Sequence, residues 1–222
     1  MRLKARYRRE HAASAPVDHS ESIVEIPSGS AALLLIDVYP REGQEASIVR
    51  TAIAPAKAAA RRADIPVVYV TNHLADSTTF DSEFRKLWLR TLGEDVLETW
   101  SEPSNALSYL PEIAPGEGDL IVRKQHYSGF FETELDSVLR SLDARDLILA
   151  GFDARICVSA TATDAFARGY RVFVLRDAIA TTEAADMPGE DTAYRMALRY
   201  IETCVGYSAL VADFVEACEA RS

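Results

Sequence analysis

Six short apolar runs most constrain what this chain can fold into: "AALLLIDV" (31–38), "PVVYVTN" (66–72), "GDLIVRK" (118–124), "DLILAG" (146–151), "YRVFVLRDA" (170–178) and "IETCVG" (201–206). The first shows no alternation of apolar with polar residues, as expected of a strand buried on both faces in a parallel sheet. Segments of helical character fall between the runs. "ASIVRTAIAPAKAAARRADI" (46–65) is rich in Ala and basic residues, with a kink expected at Pro55. "TELDSVLRSLD" (133–143) puts Leu135, Val138, Leu139 and Leu142 on one face behind Thr133 as N-cap. "CVSATATDAFARG" (157–169) reads as a helix closed by Gly169, and 191–200 and 208–220 as two more.

Strands alternating with helices predict an α/β chain. The expected architecture is a three-layer α/β/α, Rossmann-like fold around a six-stranded, mostly parallel sheet. Residues 31–222 form one expected domain, a size at which one core suffices. Residues 1–30 read as an irregular polar arm, and 73–118 are the least legible stretch, with short helices expected at 84–92 and 106–110.

Charge narrows the partners. Twenty-four basic against 34 acidic residues give −10, which argues against nucleic acid and anionic membranes. The basic Arg2, Lys4, Arg6, Arg8 and Arg9 read as a solvated arm. No apolar run approaches the roughly 18 residues of a membrane span. Three cysteines without CxxC spacing suit free thiols in a reducing cytoplasm, where the protein is expected.

In open parallel sheets, ligands bind beyond the carboxyl ends of the strands, at the switch in strand order. Three reactive side chains fall at or just past such ends: Asp37, Lys124 and Cys157. Singly, each has a plainer reading: a turn-capping acid, a lysine reaching water, a small buried thiol. Together they supply a proton acceptor, a cation and a nucleophile at a helix N-terminus, where partial positive charge favours a thiolate. Cys204 and Cys218 take the inert reading.

The Asp…Lys…Cys order, the turn "GFDARICV" (151–158) and "KQHYSGFFETELDSVLRSL" (124–142) resemble the isochorismatase-like cysteine hydrolases, within them the ureidoacrylate and biuret amidohydrolase branch. The resemblance runs from about Ala31 to the C-terminal helix. It implies a catalytic triad of Asp37, Lys124 and Cys157, and an oxyanion hole from the backbone N–H groups of Asp153 and Cys157. It further implies a cis peptide at Phe152–Asp153, no cofactor, and a homodimer or homotetramer. Tyr39, Asn72, His126, Tyr127 and Arg155 are candidate substrate contacts, and Phe130 and Phe131 are expected in the core. No metal is expected, because His11, His19, His73 and His126 show no ligand spacing.

Two departures bear on substrate: "DVYP" (37–40) where relatives commonly have Asp-Met-Gln-Asn, and Ala154-Arg155 where they have Thr-Asn or Thr-Asp. The expected reaction is cleavage of a small amide or ureide C–N bond through a thioester. The alternatives are an isochorismatase-type vinyl-ether hydrolase and a catalytically silent binding or thiol-sensing protein on the same fold.

Overall fold

A computed structural model describes residues 1–9, 18–38, 47–72, 86–87, 90, 109–181, 189 and 191–220. Eight strands form one sheet: β1 (Arg2–Arg9), β2 (Asp18–Glu25), β3 (Ala31–Ile36), β4 (Val67–Asn72), β5 (Leu120–Lys124), β6 (Asp146–Phe152), β7 (Arg171–Ala180) and β8 (Tyr207–Ala209). The order across it is β2-β1-β8-β7-β6-β3-β4-β5, parallel from β8 to β5 and antiparallel at β1 and β2. Among the described residues, the helices that accompany it include α1 (Ala54–Arg62), α2 (Leu135–Ser141), α3 (Ser159–Ala167), α4 (Thr192–Tyr200) and α5 (Val211–Glu219).

The unbroken apolar run of β3 is explained by its position. Leu33 and Leu35 face one core with Ala56, Ala59 and Ala60 of α1 and Phe214 of α5. Ala32, Leu34 and Ile36 face a second with Leu135 and Leu139 of α2 and Ala162 and Ala165 of α3. All six β3 residues are buried, so a Leu→Ala change here removes contacts from one complete core at a cost of about 2–5 kcal/mol.

Gly151 permits a close approach of β6 to β3. Its φ is +125°, and a Cβ there would overlap the Ile36 carbonyl of β3. The β6–β7 register shifts between Leu149 and Gly151, just before the chain leaves the sheet. From β3 the chain runs outward to β4 and β5, then returns to β6 beside β3 and runs outward through β7 to β8. The switch in strand order therefore lies between β3 and β6.

Three expectations are corrected. The sheet has eight strands rather than six. The described part of residues 1–30 is not irregular: β1 and β2 pair antiparallel from Arg2↔Glu25 to Arg9↔Asp18. Leu3 and Ala5 are buried, and on the alternate face Arg6 and Arg8 converge on the buried Glu202. Residues 201–206 are not a strand, because Ile201–Val205 continues α4 as a π-helical turn and the final strand begins at Tyr207. At Pro55, where a kink was expected, the helix changes character: a π-helical turn (Val49–Ile53) runs into α1, and Pro55 sits in the first turn of α1. The helices expected at 84–92 and 106–110 lie mostly outside the described residues.

Candidate active site

Asp37 follows β3 directly, with φ of +49°, a left-handed conformation that Asp tolerates better than most residues. Its N–H donates to the Val70 carbonyl at 2.9 Å, and its Oδ1 accepts the Asn72 N–H at 2.9 Å. The neighbouring strand thus fixes both the backbone and the carboxylate. Lys124, the last residue of β5, is fully buried. Its Nζ lies 2.8 Å from Asp37 Oδ2 and donates to Asn72 Oδ1 at 2.6 Å, to the His126 carbonyl at 3.2 Å and to Cys157 Sγ at 3.4 Å.

Cys157 enters from the other side of the switch. The Phe152–Asp153 peptide after β6 is cis, and the chain then makes a π-helical turn, Ala154–Val158, that runs into α3. Asp153 caps this turn: Oδ1 accepts the Arg155 N–H at 2.9 Å, and Oδ2 accepts the Thr181 hydroxyl at 2.8 Å. The cap ties the turn to the end of β7. Cys157 is 7% exposed.

Burial pushes the Cys157 thiol up to about 12, and the adjacent Asp37 carboxylate, also hydrogen-bonded to it, adds to the rise while Lys124 opposes it. Burial pulls the Lys124 ammonium down, but the charges and hydrogen bonds of Asp37 and Cys157 outweigh this and hold it above its ordinary value. At neutral pH the thiol is therefore protonated and the Lys124 amine is an ammonium. A thiol in this setting becomes a nucleophile only if its proton moves as it attacks, and Asp37 is placed to accept that proton.

The other expected site residues divide. Asn72 is 4% exposed, and its side-chain oxygen is engaged by Lys124. His126 offers its carbonyl to Lys124, while its ring meets Phe131 edge-on with centroids 4.6 Å apart. Tyr127 and Arg155 line one cavity of about 560 Å³ beside the Cys157 turn, together with Ser128, Ile156, Ser159 and Thr163. Arg155 is exposed, with Nε 3.7 Å from Asp153 Oδ1. Phe130 is in the core as expected, whereas Phe131 is 48% exposed. Tyr39 and His73 lie outside the described residues. Among the described residues, no group of three or more His, Cys, Asp or Glu side chains could hold a metal ion, and no helix is long and apolar enough to cross a membrane.

Sequence reasoning missed Ser128, Thr161 and Asp164, which join the Lys124 loop to α3. Thr161 and Asp164 sit three apart on one helix face, a spacing that was read only for apolar residues.

Comparison with known proteins agrees with the fold. The Isochorismatase domain matches residues 31–211. A ureidoacrylate amidohydrolase, RutB, of an Enterobacter species is 43% identical over 106 residues, covering 48% of this chain and 44% of that protein. The chain thus matches less than half of that relative's length. A cysteine hydrolase from Pseudomonas syringae pv. phaseolicola superposes with a TM-score of 0.79 at 24% identity, over 89% of this chain and 96% of that one. N-carbamoylsarcosine amidase from Thermoplasma acidophilum superposes with a TM-score of 0.63 at 27% identity, over 82% and 96%. This chain belongs to the isochorismatase family.

Proposed function

We propose that the protein hydrolyses the C–N bond of a small amide or ureide, with Cys157 as nucleophile, Asp37 as proton carrier and Lys124 as electrostatic support. The observation that carries this reading is the single contact set at Lys124 Nζ, which reaches Asp37 at 2.8 Å and Cys157 at 3.4 Å inside a buried site. The relatives named for ureidoacrylate and N-carbamoylsarcosine supply the substrate class.

Asp37 accepts the thiol proton as sulfur attacks the carbonyl carbon. The N–H groups of Asp153 and Cys157 hold the oxyanion, a contribution of about 3 kcal/mol per donor. Collapse expels the amine, which takes the proton from Asp37 as it leaves. Water then attacks the thioester, giving its proton to Asp37, and the thiolate recovers that proton as it departs. A ureide yields an amine and a carbamate, and the carbamate decomposes to ammonia and carbon dioxide. Lys124 stabilises the anions that form in turn at sulfur and at Asp37. The steps balance with water alone, and no cofactor is required.

Arg155, His126, Tyr127 and Asn72 surround this machinery as substrate contacts in the same reading, with Arg155 available to a substrate carboxylate. The enzyme is taken to act as a homodimer or homotetramer in the cytoplasm, consistent with its free thiols Cys157, Cys204 and Cys218.

The test is ammonia release from ureidoacrylate, biuret, N-carbamoyl acids, maleamate and nicotinamide, with wild type beside Cys157→Ala. Release from one of these, abolished in the variant, supports the reading. A folded wild type that acts on none of them, or a variant that still releases ammonia, overturns it. In that case isochorismate is the next compound to try.

A further inference from the structure

The cation and the thiol of the site come from strands that do not touch. Lys124 ends β5, Cys157 follows β6, and β3 and β4 lie between them. Three strand spacings separate the two strand ends by roughly 14 Å. Among the described residues β5 is also the sheet's edge, hydrogen-bonded to β4. Within them the sheet fixes Lys124 from one side, and a 3.4 Å contact with Cys157 calls for a second anchor.

That anchor is in the loop after β5. The Gly129 N–H donates to Thr161 Oγ1 at 2.9 Å in a buried bond. Ser128 Oγ donates to Asp164 Oδ2 at 2.5 Å and accepts the Phe130 N–H at 3.1 Å. Thr161 is fully buried and Ser128 nearly so. Both partners sit on α3, the helix that continues directly from the turn bearing Cys157. The approach leaves no room at Gly129, where a Cβ would stand 2.7 Å from Val70 Cγ1 and 3.1 Å from Leu135 Cδ2. Just before the pinned pair, the His126 carbonyl accepts from Lys124 Nζ at 3.2 Å. Pinning Ser128 and Gly129 to α3 thus fixes one acceptor of the ammonium relative to the helix that carries the thiol.

We propose that Thr161 and the Ser128–Asp164 pair are positioning residues that set the distance between the Lys124 ammonium and the Cys157 sulfur. They act through the loop after β5: Thr161 is fully buried, while Ser128 and Asp164 also line the cavity beside Cys157. The proposal rests on the roles given above to Lys124 and Cys157. Its effect is on the chemical step rather than on binding.

The decisive variant is Thr161→Val, which keeps the volume and removes the acceptor of the Gly129 N–H, with Thr161→Ser as the conservative rescue. The expected result is a kcat lower by roughly 10- to 100-fold with KM little changed, because a small misplacement of a reacting group costs rate first. A second readout needs no substrate: the ratio of alkylation rates with iodoacetate and iodoacetamide, read at the Cys157 peptide. The ratio cancels accessibility and thiolate fraction and reports the positive charge beside sulfur. It should fall by about threefold in Thr161→Val as the ammonium draws away, and return in Thr161→Ser. If Thr161→Val does not fold, Ser128→Ala is measured in the same way and should move both readouts in the same direction.

Wild-type kcat and ratio in the variant, or a loss that Thr161→Ser does not restore, would overturn the proposal. A wild type that hydrolyses no amide would instead overturn the amidohydrolase reading, and the alkylation ratio would still decide the role of the clamp.

Discussion

Two buried ion clusters sit at opposite sides of this sheet, and they differ in what surrounds the carboxylate. At the β1–β2 side, Glu202 takes Arg6 at 2.7 Å, Arg8 at 2.8 Å and the Ser208 hydroxyl at 2.7 Å. It is a carboxylate saturated by donors that have no chemistry of their own. At the switch side, Asp37 shares one ammonium with a thiol, an amide oxygen and a backbone carbonyl. The first cluster ties the β1–β2 pair to the turn after α4. In the function proposed above, the second places a proton acceptor against a nucleophile. Burial and ion pairing are common to both, so neither identifies a reactive site. The presence of a group that can change its bonding does.

Variants should separate the two clusters, beginning with the largest effect. Cys157→Ala should lower amide hydrolysis by a factor on the order of 10⁴ or more while the melting temperature stays close to wild type. Steady-state kinetics beside calorimetry checks both halves. Lys124→Met should harm both properties, because it removes the cation from a buried carboxylate. Urea unfolding should show a loss of about 3–5 kcal/mol together with loss of turnover. Glu202→Gln should cost about 1–3 kcal/mol by the same assay and leave kcat at 25 °C unchanged. A matching loss of turnover in Glu202→Gln would break the distinction.

The smallest effects are in the pH dependence of stability, where the two clusters should own opposite limbs. Burial raises the Glu202 carboxyl, but Ser208, Arg8 and Arg6 outweigh it and hold the group below its ordinary 4.5. A depressed carboxyl contributes stability that is present above about pH 4.5 and is lost as pH falls through the lower folded value. Glu202→Gln should therefore flatten the acid limb. The Cys157 thiol moves the other way, from 9.0 to about 12. Its contribution is complete below pH 9, where the unfolded thiol is still protonated, and is lost as pH rises toward 12. Cys157→Ala should flatten the alkaline limb and leave the acid limb alone, as urea midpoints across pH would show.

The same contrast explains what the sequence made legible. The apolar runs of β3, β4 and β6 identified the central sheet because burial on both faces removes alternation, and strand-end position then singled out Asp37, Lys124 and Cys157. The edges were harder. β1 alternates from Arg2 to Arg8, with Leu3 and Ala5 inward and Arg2, Lys4, Arg6 and Arg8 on the other face. The density of charge there resembled a solvated tail, because the partner, Glu202, lies some 196 residues away. That long-range pairing also explains the misread run at 201–206, where Glu202 and Cys204 belong to a helical turn rather than a strand. The Thr161 and Asp164 contacts were illegible for a related reason: their partners, Gly129 and Ser128, lie on a loop with no periodic pattern. Three neighbouring apolar and polar residues disclose a strand, but not which distant backbone N–H a buried hydroxyl will meet.

The central claim is that Cys157 forms a covalent bond with substrate, and trapping that bond tests it most directly. The enzyme is mixed with the amide or ureide that it turns over, quenched in acid within the first turnover, digested and weighed by mass spectrometry. The account requires the acyl or carbamoyl mass on the peptide carrying Cys157, on neither Cys204 nor Cys218, and gone after turnover is complete. Steady hydrolysis with no adduct at any quench time, and with Cys157→Ala still active, would contradict it.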